Sequence, residues 1–250
     1  MHNVKCFISA GCSFSQVPNA DVTWPVHIRD CLQPECTYYL GQGAAGNGII
    51  SRKVIHTVQK VLEIYNTDEL MVGIMWSGHD RMDAFYPEKP SLSYEPVGAG
   101  ADNYTNPVRV AKENNYYIMN HHWNDELTKT YYKYFYSKIG ACIQTIEHIL
   151  RTQWFLQNLG IRYFMTEYNN DCLPRDPEII NHSDVKYLYD MIDKSYWVPI
   201  DNMYKFAVST GKPFARPPDV HPSTEHHQLF VKDVCMPWLF RKYFFSKDNQ

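Results

Sequence analysis

The chain has 250 residues and a formal net charge of −3, with 44% apolar and 20% charged residues. That balance supplies one sizeable core and excludes a disordered chain. Its 24 Lys and Arg are scattered, so there is no basic footprint for nucleic acid, and no run approaches the roughly 18 apolar residues of a membrane span.

The first ten residues, Met1 to Ala10, lack the apolar stretch of a secretory signal. The expectation is a cytoplasmic protein, with association with a virus particle left open. Val4 to Ser9 reads as a buried strand running into Ala10-Gly11. Trp24, Ile28 and Leu32 recur at helical spacing, with Pro25 at the tolerated start of a helix over 23–32. Cys36 to Leu40 is a second strand, and a glycine-rich loop, Gly41 to Gly48, leaves it. Ile50, Val54, Val58, Val61, Leu62 and Tyr65 predict an amphipathic helix over 49–65. Leu70 to Trp76 is apolar almost throughout, as a central parallel strand should be.

From Asp83 to Asp125 the rhythm breaks. Pro87, Pro90, Pro96 and Pro107 stand among many Tyr and Asn, which predicts an insertion with little regular structure. Glu126 to Leu159 then reads as one long helix that Gly160 stops. Ile161 to Thr166 is a fourth strand, and 176–195 is helical. Ser223 to Phe245 is a last helix in which Pro237 sets a kink. Strands alternating with helices predict an α/β fold: a three-layer α/β/α sandwich on a central parallel sheet, one domain over 1–250 with an insertion at about 83–125.

In such sheets ligands bind beyond the carboxyl ends of the strands. Three loops leave those ends: Gly11-Cys12-Ser13-Phe14, Gly41 to Gly48, and Ser77-Gly78-His79-Asp80-Arg81. A fourth group, Asp219-Val220-His221-Pro222, precedes the last helix. A catalytic serine needs an open hydroxyl, a histidine within hydrogen-bond reach and donors for an oxyanion. Ser13 on its turn, His221 as base, Asp219 to orient it and the backbone of Gly46 as donor meet that need. Cys12 reads as a small buried residue, and Asp80 with Arg81 as an ion pair fixing the third loop. The seven Cys form no C-x-x-C pair, against a zinc ribbon. Adjacent histidines, His121-His122 and His226-His227, point about 100° apart on a helix, so no metal and no cofactor is expected.

These blocks resemble the SGNH (GDSL-type) hydrolases. Gly11-Cys12-Ser13 matches the serine block, Gly46 in Ala45-Gly46-Asn47 the oxyanion glycine, Ser77-Gly78-His79-Asp80 the G-x-N-D block, and Asp219-Val220-His221-Pro222 the Asp/His block. The Gly-Cys-Ser-Phe form is similar to SGNH-like proteins common in bacteriophages. Cys12 stands where the family has Asp, His79 where it has Asn, and Asp219 lies two residues before the histidine rather than three.

The resemblance implies a flavodoxin-like sandwich and a serine esterase acting on a small acyl ester, such as O-acetyl groups on carbohydrate. Ser13, His221 and Asp219 would be catalytic, and Ser13, Gly46 and His79 would hold the oxyanion. Asn47, Tyr117 and Trp123 would touch substrate, with the aromatic insertion either a lid over sugar rings or a contact between copies in a homo-oligomer. Two other readings stand beside it: an acyltransferase on the same residues, and a binding or virion-associated structural module on a degenerate site.

Overall fold

The structure is a computed structural model that describes residues 4–17, 19–85, 93–96, 108–112, 116–218 and 220–244. In chain order its elements are β1 (Cys6–Gly11), α1 (Trp24–Leu32), β2 (Cys36–Tyr39), α2 (Asn47–Val61), β3 (Leu70–Trp76), β4 (Arg81–Phe85), β5 (Ser93–Pro96), β6 (Val108–Lys112), β7 (Tyr116–Asn120), α3 (Glu126–Tyr134), α4 (Lys138–Asn158), β8 (Arg162–Glu167), α5 (Pro177–Ile180), α6 (Ser183–Tyr189), α7 (Met203–Ser209), α8 (Thr224–Leu229) and α9 (Met236–Leu239).

Six strands form one sheet in the order β5-β6-β2-β1-β3-β8. All neighbours are parallel except β5, which pairs antiparallel with β6 at the edge. Because strands alternate their side chains, each contributes to two cores. Cys6, Ile8, Ala10, Val72, Ile74, Tyr163 and Met165 pack on one face with residues of α2 and α4, such as Val54, Val58, Ile146 and Leu150. Phe7, Met71, Met75 and Phe164 pack on the other with Trp24 and Ile28 of α1 and with Phe230 and Leu239 near the C-terminus. The three-layer α/β/α sandwich follows. Gly73 makes room on the second face: a Cβ there would stand 2.6 Å from Phe164 Cζ and 2.9 Å from the Trp24 ring. In that space the two rings meet edge to face, with centroids 5.6 Å apart.

The chain leaves β1 for β2 through α1 on one face, then returns past β1 to β3 through α2 on the other. The strand order therefore reverses at the carboxyl end of β1, where α/β sheets place their sites.

Two expectations about helices are corrected. The helix predicted over 126–159 is two: Asp125 caps α3 by accepting from the Thr128 amide, and Ser137 caps α4 by accepting from Gly140. The predicted helix at 176–195 is α5, α6 and a single tight turn at Lys194–Tyr196. At the C-terminus, α8 and α9 join through wider turns at Phe230–Cys235, followed by another at Phe240–Phe244. Pro237 can neither donate to the ladder nor clear the carbonyl four residues back, and the wide turns around it absorb that misfit.

The insertion is also corrected. Its described parts include strands: β4 pairs with β7 antiparallel, and β6 extends the central sheet beside β2. An added strand satisfies the ladder groups that β2 would otherwise leave open. No helix among the described residues is long and apolar enough to cross a membrane.

Candidate functional site

The site is built first from the end of β1. Cys12 leads into a tight helical turn at Ser13–Ser15, closed by the Ser15 amide donating to the Cys12 carbonyl at 2.9 Å. The turn is fixed from below: Trp24 Nε1 donates to Ser15 Oγ at 2.8 Å, and both residues are buried. Gly11 is required there, since a Cβ would stand 2.3 Å from Ser15 Oγ and 2.8 Å from the Met75 carbonyl. The loop after β2 is laced to the same turn. Gln42 donates its amide to the Gly11 carbonyl at 3.1 Å, and Gly41 packs so closely that a Cβ would meet the Ser15 backbone at 2.2 Å. The amide of Ser13, at the first position of its turn, is left free by that turn and donates no hydrogen bond among the described residues.

His221 arrives from the far end of the chain. Its Nε2 lies 2.9 Å from Ser13 Oγ, across 208 positions of sequence. The Phe14 ring lies 5.1 Å from the imidazole, centroid to centroid, and the Ala215 amide donates to the His221 carbonyl. Immediately after it, Ser223 and His226 form a reciprocal cap on α8: the Ser223 amide donates to His226 Nδ1 at 3.0 Å. A neutral His221 that accepts from Ser13 at Nε2 carries its proton on Nδ1. Asp219, expected to orient that nitrogen, lies outside the described residues.

The Ser13–His221 pair opens into a cavity of 140 Å³ whose lining includes Gln16, Asn19, Asp21 and Arg216. Arg216 Nη2 stands 3.7 Å from Asp21 Oδ2 at its edge. His227 also borders this cavity. Burial, and then the neighbouring His27, His226 and His221, push its imidazole down to about 3, so it stays neutral. Sequence reasoning singled out none of Gln16, Asn19, Asp21 and Arg216. Polar residues in irregular segments carry no periodic signal, and only the tertiary fold brings them to one cavity.

Three expected site residues are placed elsewhere. The Gly46 amide is not open to an oxyanion: it donates to Asp83 Oδ1 at 3.0 Å, while Ile49 donates to Oδ2 at 2.9 Å. A strand-borne carboxylate thus closes the N-terminus of α2, and burial pushes Asp83 up to about 6. His79 bonds through both its amide and its ring Nδ1 to the Asp171 carbonyl. With Nδ1 as donor, the neutral ring has only an acceptor left at Nε2, so it cannot stabilise an oxyanion. It borders a different cavity, together with Asn47. Asn47 is buried and fully used: its Oδ1 accepts from the Ser77 amide, and its Nδ2 donates to the Ser77 carbonyl and Thr145 Oγ1. It is a clamp between the second and third loops.

Tyr117 and Trp123 are also absent from the lining of the Ser13 cavity. Tyr117 donates its hydroxyl to Asp125 at 2.7 Å, bracing the cap of α3. Trp123 is 42% exposed on the turn after β7. Asp80 pairs with His121 at 2.7 Å rather than with Arg81. Arg81 donates to Ser77 Oγ, lies over the Tyr168 ring at 4.8 Å and reaches the Cys12 thiol. Another backbone donor lies in the glycine-rich loop. Gly43 lies against Gln16, with 3.1 Å between its Cβ position and Gln16 Oε1, and its amide makes no hydrogen bond among the described residues.

Compared with protein-family models, curated proteins and solved structures, the chain matches none of them. What it does rests on its own geometry: a serine hydroxyl on a braced turn, an imidazole within hydrogen-bond reach, and a polar cavity in front of both.

Proposed function

We propose that the chain is a serine ester hydrolase of the SGNH kind. The observation that carries this is the 2.9 Å contact between Ser13 Oγ and His221 Nε2 at the carboxyl end of the central strand. Ser13 Oγ attacks the ester carbonyl while Nε2 takes its proton. The oxyanion is held by the amides of Ser13 and Gly43, the latter in place of Gly46 and His79. His221 then gives its proton to the leaving alcohol. Water attacks the acyl-enzyme with His221 as base again, releasing the acid and restoring Ser13.

A 140 Å³ cavity suits a small acyl group. Its polar rim suits an alcohol rich in hydroxyls, such as a carbohydrate. Labelling by a fluorophosphonate tests the reading: the wild type reacts, and Ser13→Ala and His221→Ala do not. A wild type that stays unlabelled under conditions that label a known serine esterase overturns it.

A further inference from the structure

A second cavity of 230 Å³ lies between the start of α2, β4 and α4. Arg52, Arg81, His148, Gln144 and Thr145 line it, and so does Asp83. His79 lines it as well, with its ring Nε2 as an acceptor, and the other side chains named bring mainly donors. Neither guanidinium forms an ion pair with a carboxylate among the described residues: Arg52 donates to Tyr116 Oη at 2.9 Å, and Arg81 to Ser77 Oγ at 2.9 Å.

His148 adds a third donor. Arg151 donates to its Nδ1 at 3.2 Å, so the neutral ring carries its proton on Nε2. Burial, and then Arg151 and Arg52, push this imidazole down to about 4, which keeps it neutral. Its Nε2 sits 3.3 Å from where a Gly48 Cβ would stand, so the glycine leaves the ring edge uncovered. Thr145 Oγ1 already accepts from Asn47, leaving its proton to donate elsewhere. Asp83, the one carboxylate of the lining, has both oxygens occupied by the Gly46 and Ile49 amides.

Two fixed positive charges, an imidazole N–H, a carboxamide and a hydroxyl around one cavity match the lone pairs of an oxyanion. We infer that this cavity binds a small oxyanion, the phosphate or carboxylate group of a ligand. The inference stands apart from the esterase reading, since it uses neither Ser13 nor His221. The two sites are nonetheless adjacent through Arg81, which reaches Cys12 beside the serine.

The test is thermal unfolding and titration calorimetry of the whole chain with inorganic phosphate and with citrate, each against chloride at matched ionic strength. A saturable rise in Tm above the chloride control is expected with at least one of them. Phosphate acting more strongly marks a phosphoryl ligand, citrate a carboxylate one. Arg52→Gln is expected to weaken binding about tenfold, as loss of one charge-assisted contact does. Gln144→Glu, exposed on α4 and a good helix former, places a negative charge in the cavity and is expected to weaken it at least as much. Lys186→Gln, on α6 and away from both cavities, should leave it unchanged. No saturable effect of either anion, or affinities in Arg52→Gln and Gln144→Glu equal to wild type, overturns the proposal.

Discussion

Asp83 takes the Gly46 amide at 3.0 Å from a strand 37 positions further along the chain. That contact takes the Gly46 amide away from any ligand of the second loop. It also sets a pH dependence. Burial raises Asp83 from 3.8 to about 6, so the folded state holds this proton more tightly than the unfolded state does. Stability from this group is therefore highest below pH ~4, falls as pH rises to about 6, and is level above; two units correspond to about 3 kcal/mol. Asp83→Asn has no such titration. The stability of wild type relative to Asp83→Asn should fall by up to about 3 kcal/mol between pH 4 and 7. Urea unfolding at both values checks this, and parallel curves for the two proteins would refute it.

The Trp24–Ser15 hydrogen bond joins the second core to the turn that carries Ser13. Ser15→Ala leaves the indole N–H without its partner, and Trp24→Phe leaves the hydroxyl without its donor. Each should cost about 1–3 kcal/mol, more for Trp24→Phe because it also opens space beside Phe164. The double mutant should show a coupling of about 1 kcal/mol. Both single variants should react more slowly with a fluorophosphonate at temperatures where they remain folded, because the turn that aims Ser13 is loosened.

Asn47→Ala separates a structural clamp from a substrate contact. The change strands the Ser77 amide and carbonyl in a buried place. A loss of about 2–4 kcal/mol in urea unfolding is expected. The KM for a small ester should change less than twofold, because Asn47 does not border the Ser13 cavity. A large rise in KM with unchanged stability would return Asn47 to the substrate.

What could be read from the sequence follows from where the signal lies. Leu70–Trp76 is apolar because a central strand is buried on both faces, and it stands where expected; α2 shows its face in Val54, Val58 and Val61 but ends at Val61, four residues before the expected Tyr65. The strands of the insertion were hidden because each is short and bounded by Pro, Gly and Asn, so composition spoke louder than alternation. The break at Ser137 was missed because apolar spacing continues across it, and only the cap reveals it. Within the site, Ser13 and His221 could be named from block order. Gly46 and Gly43 both follow β2, and the ownership of the Gly46 amide by Asp83 is a tertiary fact. So is the direction of His79, held on the Asp171 carbonyl of another loop.

Arg216 and Asp21 offer a way to read selectivity at the Ser13 cavity. Their 3.7 Å contact is loose, and the arginine side chain is 60% exposed. Such pairs contribute little to stability, so Arg216→Ala should unfold within about 0.5 kcal/mol of wild type. Its effect should fall on charged substrates instead. With the guanidinium gone, the Asp21 carboxylate faces the cavity mouth uncompensated. One unit charge at that range in a partly solvated rim is worth about 1 kcal/mol, close to fivefold in rate. Comparing nitrophenyl acetate with nitrophenyl hemisuccinate should show kcat/KM for the anionic ester falling about fivefold in Arg216→Ala, while the neutral ester changes less than twofold. Added salt should shrink the difference, because an exposed charge is screened. Equal loss on both esters would mean that Arg216 shapes the cavity rather than its field.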